Sequence, residues 1–260
     1  YSEYSAVWDP SGEEIYYARV VIDEDKITKG MSKRNKLKKF DELLKMDHVY
    51  ENPDYENPRL VHKIGVEVDR KGKWISDHFK NTNSLTLELA CGRGEYTLQL
   101  ARKYPERNFM GLDIKGARIW QGASIAQEEN LQNVAFLRTR IELIGLFFAE
   151  QEIDAIWLPF PDPFLRESKS NNRLTSNPFL DRFKPLLKKD GIINLKTDST
   201  ELYDFTMETL AERTDIELIY NNDDIYSDDL YMEELEFKTY YEHMHLKNEK
   251  TIKFVRFQFK

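Results

Sequence analysis

The sequence predicts a doubly wound α/β fold with a mainly parallel sheet, and three observations carry that prediction. Apolar runs of strand length recur at 85–90, 109–113, 134–138, 154–158, 191–196, 215–220 and 251–258. Helical periodicity fills the gaps between the first six, at 94–104, 116–130, 140–149, 173–188 and 199–212. Alternation of this kind gives parallel strands with helices on both faces. Third, the first strand runs straight into a two-glycine turn and then a helix, in LTLELACGRGEYT.

Bulk properties set limits on function. The 260 residues suffice for one large or two small domains. The pattern divides them into an extension with a basic arm at 1–72 and a larger domain at 73–260 that carries the regular alternation. Hydrophobic content of 40% and charged content of 32% allow a sizeable core. No apolar run of about eighteen residues exists, so no membrane helix is expected. No charged-then-apolar leader opens the sequence, and a cytoplasmic location is expected. Cys91 is the single cysteine. It excludes an internal disulfide and a cysteine-built metal site, and no metal is expected. Net charge is -8 and the pI about 5.3. That is the wrong sign for non-specific nucleic-acid binding, so any such contact must come from local basic patches.

Taken in order, 1–30 offers one or two hairpin strands around Ile15, Tyr17, Val20 and Ile22. Lys33, Arg34, Lys36, Lys38 and Lys39 then run into a helical pattern with Leu37, Phe40, Leu43 and Leu44. This cluster is either a solvated helix face or an arm that contacts phosphate. Residues 47–72 read as loop, with Pro53, Pro58 and Gly65, and 73–80 as a short helix. The first regular strand carries Leu85, Leu87 and Leu89 around Glu88, and ends at Gly92 and Gly94. Glycine there lets a ligand approach the backbone, and the helix start leaves unpaired N–H groups facing the same crevice. Asp113 ends the second strand about twenty residues on, where a carboxylate accepts ribose hydroxyls. The third glycine of a dinucleotide fingerprint is replaced by Thr97. A nucleoside without a pyrophosphate fits better, S-adenosylmethionine being the common one.

The crossover rule places the carboxyl ends of the strands on one edge, where ligands bind. At that edge the fourth strand ends in IWLPFPDPFLRES, with Asp162 among Pro159, Pro161 and Pro163. Proline fixes φ and removes donors, so the loop is stiff: a site carboxylate or a structural turn. The fifth strand ends INLKTDS, where Asp198 is a helix N-cap, a site residue, or both. The acidic stretch 221–237 leaves no crossover helix before the last strand, which predicts an antiparallel final pair.

The motifs LELACGRGEYT, NFMGLDIKG, LPFPDPF, RLTSNPFLDRF, INLKTDS and TYYEH occur in this order over 85–245. Together with KRNKLKKF they resemble the tRNA (guanine-N7)-methyltransferase family of the single-subunit bacterial kind. The resemblance implies a class I S-adenosylmethionine-dependent methyltransferase fold, Rossmann-like, with a seven-stranded sheet whose last strand is antiparallel. It implies S-adenosylmethionine as donor and a guanosine in the tRNA variable loop as acceptor. Glu88, Gly92 and Gly94 would hold the methionine end, Asp113 the ribose, and Ile114 would pack beside the adenine. Asp162 would be catalytic, and Asp198, Thr239 and Glu242 would lie near the target guanosine. Two features depart from the family pattern. LRTRIEL places Arg140 where an acidic residue near the adenine is usual, and PDPFLRESKSNNR replaces a denser basic run, leaving Arg166, Lys169 and Arg173 for tRNA. Rival readings are a methyltransferase acting on another nucleic acid or a small molecule, a non-catalytic RNA-binding scaffold, and a dehydrogenase. Asp162-Pro163-Phe164 lacks the second proline usual in amine methyltransferases. The oligomeric state stays open between monomer and homodimer.

Overall fold

The computed structural model describes residues 6–8, 15–17, 38–39, 41–63 and 65–260. Strands β1 (Ala6–Trp8) and β2 (Ile15–Tyr17) pair antiparallel as a two-stranded sheet. They match the hairpin expected around Ile15 and Tyr17; Val20 and Ile22 lie outside the described residues. So do Lys33, Arg34 and Lys36 of the basic cluster. Lys38 pairs with Glu42 at 3.9 Å, and Lys39 sits 4.1 Å over the Trp120 ring.

The segment that reads as loop supplies three short strands, β3 (Val49–Glu51), β4 (Val61–His62) and β5 (Val66–Glu67), followed by one π-helical turn at Trp74–Phe79. Runs of two or three residues carry too little alternation to stand out, and the parallel partner of β3 is more than eighty residues away in sequence. The regular part follows as β6 (Leu85–Leu89), α1 (Glu95–Lys103), β7 (Asn108–Asp113), α2 (Gly116–Glu128), β8 (Val134–Arg138), β9 (Ile153–Pro159), α3 (Asn177–Phe183), β10 (Leu187–Thr197), α4 (Thr200–Glu212), β11 (Ile216–Asn222), α5 (Tyr240–Lys247) and β12 (Lys253–Phe259). All seven expected strands form.

Two expected helices differ. Residues 140–149 give a 3-10 turn, Ile141–Leu146, because Gly145 interrupts a segment too short for a stable α-helix. The 173–188 helix is confined to α3: Pro178 sits in its first turn and Pro185 stops it. The chain enters β10 two residues after that proline.

The main sheet has ten strands in the order β11-β12-β10-β9-β6-β7-β8-β3-β4-β5. The seven-stranded count is therefore corrected by the three short strands, joined through the parallel β3–β8 pair. From β8 through β10 every neighbouring pair is parallel, while β12 runs antiparallel to both β10 and β11. The final pair is thus antiparallel, as the acidic stretch predicts.

Strand β6 is central and covered on both faces, so all five of its residues are buried. Its alternation sends Leu85, Leu87 and Leu89 into one core with Met110, Leu112 and Leu158. Glu88 therefore projects to the opposite face, where a second core holds Tyr96, Phe136 and Trp157. Among the described residues no helix is long and apolar enough to cross a membrane, and no group of three or more His, Cys, Asp or Glu side chains is arranged to hold a metal ion.

Candidate functional site

Strand β6 delivers the chain into the glycine turn. Gly92 and Gly94 both take left-handed conformations, with φ of 56° and 67°, where a side chain is strained. Their surroundings differ. A Cβ on Gly94 would lie 2.6 Å from the Phe136 ring, so that glycine is needed for packing. A Cβ on Gly92 would meet nothing within 4 Å. The backbone at Gly92 thus borders open space, as a ligand cradle requires.

Asp113 faces this turn from the end of β7. Its Oδ2 accepts the Gly92 N–H at 2.8 Å and its Oδ1 the Lys115 N–H at 2.7 Å. The carboxylate is locked in orientation while each oxygen keeps a further lone pair for a hydroxyl. Ile114, the next residue, is 43% exposed, an apolar surface beside a polar anchor. Glu88 is buried and accepts from both the N–H (2.7 Å) and the hydroxyl of Thr97. Burial pushes its carboxyl up to about 8, against the pull of the two Thr97 donors. Thr97 thus has a positive role that its reading as a missing glycine did not convey.

The proline-rich loop is fixed from behind. Asp162 is exposed, and its Oδ1 accepts the Phe164 N–H at 2.9 Å. Arg173 is only 5% exposed and donates to the carbonyls of Pro163 (2.9 Å) and Phe164 (3.1 Å), its guanidinium 4.4 Å from the Phe205 ring. The expectation that Arg173 offers charge to RNA is corrected: the side chain is buried and bonded to two carbonyls inside the fold, and of the three basic residues only Arg166 and Lys169 are exposed. Replacing Arg173 by Gln should free the loop. Methyl transfer is expected to slow between about ten- and a hundredfold in single-turnover measurements, the usual effect of misplacing a reacting group by about 1 Å.

At the end of β10, Asp198 receives Lys250 Nζ at 2.6 Å and lies 3.3 Å from His245 Nδ1. It is not the cap of α4; Ser199 is, accepting the Leu202 N–H at 3.1 Å. Asp198 shares a cleft of about 410 Å³ with Pro163, Leu165, Glu201, Lys250 and Lys253. The loop of Asp162 and the end of β10 therefore meet at one opening.

Thr239 and Glu242 sit behind it. Thr239 caps α5, accepting the Glu242 N–H at 3.2 Å. Glu242 is fully buried, paired with Lys196 Nζ at 2.8 Å and accepting the Tyr226 hydroxyl at 2.5 Å. Lys196 also donates to the carbonyls of Leu235 and Phe237, each at 3.0 Å. Burial lowers its pKa to about 8, with Glu242 opposing. The start of α5 is tied to the glycine turn as well: the Tyr240 N–H donates to Glu95 at 2.6 Å, and Arg93 lies 5.7 Å from the Tyr240 ring. Arg140 follows β8, the strand beside β7, and its guanidinium lies 4.5 Å over the Tyr55 ring. Sequence reasoning did not single out Lys250, gave Lys196 only a place on the strand edge, read Thr97 only as an absent glycine and assigned Arg173 to tRNA; the partners that define these side chains carry no sequence signature.

A sheet ordered β8-β7-β6-β9-β10-β12-β11, parallel except for β12, with a glycine turn after its central strand and an acid at the end of β7, defines a class I methyltransferase fold. A 16S rRNA methyltransferase, KamB, shares it with a TM-score of 0.53 at 13% identity, over 74% of this chain and 94% of that one. A 30S ribosomal A1408 methyltransferase from an uncultured bacterium gives 0.52 at 14%, over 75% and 96%. A family profile described as "Putative methyltransferase" matches residues 82–255. A tRNA (guanine-N(7)-)-methyltransferase of Christiangramia forsetii is 44% identical over 88% of this chain and 100% of its own length. One of Bacteroides fragilis is 43% identical over 86% of this chain and 85% of its own. The chain belongs to the tRNA (guanine-N(7)-)-methyltransferase family.

Proposed function

We propose that this protein transfers a methyl group from S-adenosylmethionine to N7 of a guanosine in the variable loop of tRNA. The observation that carries the mechanism is the Asp162 loop, a carboxylate held by prolines and Arg173 beside the cleft that contains Asp198. The relatives' names carry the substrate.

The chain's own groups suit the cofactor. The open approach to Gly92, the oriented Asp113 carboxylate and the exposed Ile114 fit an adenosyl group, and buried Glu88 fits a cationic methionine end. When bound, S-adenosylmethionine supplies a methyl group on a cationic sulfur. Guanine N7 presents a free lone pair at neutral pH, so no side chain need remove a proton before attack. Positive charge moves from sulfur to the purine during transfer. Asp162 and Asp198 stabilise it there without the reorientation that water would need. Asp162 is the catalytic residue, and Asp198, Thr239, Glu242 and Arg166 bind or shape the tRNA side. Lys33, Arg34, Lys36 and Lys38 meet tRNA phosphates.

Incubation of unmodified tRNA with labelled S-adenosylmethionine, followed by nucleoside mass analysis, tests this reading. It expects 7-methylguanosine in the variable loop; methyl transfer to another base, or none, would overturn it.

Glu88 adds a pH signature. Its raised carboxyl is protonated in the free protein at neutral pH, whereas the ammonium of the methionine end favours the carboxylate. Cofactor binding should release a proton, and affinity should rise with pH until it levels near pH 8. Fold stability has the opposite sign: the contribution of neutral Glu88 is present below the ordinary carboxyl range and is lost as pH rises to about 8. Calorimetry in buffers of different ionisation enthalpy reads the proton, and Glu88→Gln should abolish it.

A further inference from the structure

We infer that the loop between β3 and β4 closes the adenine end of the cofactor pocket, with Tyr55 contacting the adenosyl group and Arg140 positioning Tyr55. The inference rests on the S-adenosylmethionine reading above and names residues which that reading leaves out.

Strand order sets the direction. Glu88 and the glycine turn belong to β6, and Asp113 ends β7. A ligand whose methionine end lies at β6 and whose ribose lies at β7 extends its base toward the next strand, β8, past Ile114. The residues that follow β8 are Thr139 and Arg140. Strand β3 pairs parallel with β8, with Glu51 opposite Arg138, so the loop leaving β3 emerges on this same edge.

That loop is built onto the edge. Glu51 and Arg138 form a buried ion pair at 3.1 Å. Asn52, fully buried, donates its N–H to the Arg138 carbonyl at 2.8 Å, and its Oδ1 accepts the Arg59 N–H at 3.2 Å, tying both ends of the loop. Its Nδ2 reaches Thr139 Oγ1 at 3.5 Å, and the Thr139 N–H donates to the Asp113 carbonyl at 3.1 Å. Asp54 accepts the N–H groups of Glu56 and Asn57, at 2.9 and 3.2 Å, fixing the turn that carries Tyr55.

Tyr55 is incomplete as it stands. Its hydroxyl is buried and has no hydrogen-bond partner among the described residues. Such orphaned groups are costly and rare. Arg140, which follows β8, lies 4.5 Å over the Tyr55 ring, so Tyr55 sits at the carboxyl edge of β8, the strand next to the one that ends in Asp113. The Arg140 guanidinium over its ring fixes the ring's plane. Arginine has no acceptor, so Arg140 cannot receive the exocyclic amine of adenine as an acid would. Its place in the site is to hold Tyr55, whose hydroxyl donates to the adenosyl group.

The test measures binding of S-adenosylhomocysteine to the full chain by calorimetry. Tyr55→Phe keeps the packing and removes the hydroxyl; its Kd should rise about fivefold, the usual effect of one lost hydrogen bond. Tyr55→Ala should raise it about tenfold or more. Arg140→Met should weaken binding about threefold, and Arg140→Lys should restore it by keeping a cation over the ring. In turnover, all weakened variants should raise the KM for S-adenosylmethionine and leave kcat and tRNA affinity unchanged. Wild-type Kd values in both Tyr55 variants would overturn the inference while leaving the proposed function intact. If Tyr55→Ala does not fold, Tyr55→Phe decides alone. Failure of the unaltered chain to bind S-adenosylhomocysteine would overturn the proposed function itself, and this inference with it.

Discussion

Asp162→Asn is expected to lower kcat for tRNA methylation by roughly 10²–10³, with cofactor affinity within about twofold of wild type. The substitution is nearly isosteric. The asparagine oxygen can still accept the Phe164 N–H, as Asp162 Oδ1 does, so the loop keeps its shape and only the charge is lost. Proton transfer contributes nothing, because N7 needs no deprotonation. The barrier then depends on alignment and on the field met by the arriving positive charge. A carboxylate on a mobile loop would have to be oriented during the reaction. Asp162 is oriented beforehand, by proline φ restriction and by the two hydrogen bonds from Arg173. The loss should therefore appear in single-turnover rates at saturating substrate. Unchanged rates would remove Asp162 from the mechanism, and equal loss in cofactor binding would make it a structural residue.

The sheet was legible because its strands are long and their partners recur at regular intervals. Leu85, Leu87 and Leu89 announce a central strand without reference to anything distant, and Gly92 with Asp113 announces a nucleoside site by spacing. The short strand Val49–Glu51 was not legible, since three residues acquire meaning only from the strands on either side of them, β8 and β4. Site residues divide the same way. Asp162 stands out locally among prolines. Arg173 looked like surface charge because its partners, the carbonyls of Pro163 and Phe164, bear no sequence signature. Lys196 likewise gave no sign that it is buried against a glutamate 46 positions on, because strand position alone does not say what covers a strand's end. Asp198 reads equally well as a cap until Ser199 is seen to occupy that role.

The second large effect concerns that buried pair. Glu242→Ala is expected to cost roughly 3–5 kcal/mol, because Lys196 is then left in the interior without its counter-charge. Tm should fall on the order of 10 °C. The sign with pH is diagnostic. Lys196 already titrates near 8 in the intact fold, well below an ordinary lysine, because burial disfavours its charge. Without Glu242 its charged form is still less favoured, so the deficit should be largest at low pH. It should shrink as pH rises and the amine becomes neutral. Replacing both residues by apolar ones, Lys196→Met with Glu242→Leu, removes the unpaired charge and should recover part of the loss. Recovery stays incomplete: the Leu235 and Phe237 carbonyls lose their donor and the Tyr226 hydroxyl its acceptor, at about 1 kcal/mol each. The pair also reaches the cofactor side, because α5 is bonded to the glycine turn through Tyr240 and Glu95. Glu242→Ala should therefore weaken cofactor binding as well as tRNA methylation, a joint loss that a residue touching only the guanine would not produce. A variant with wild-type Tm at neutral pH, or a deficit that grows with pH, would show that the pair does not hold α5 in place.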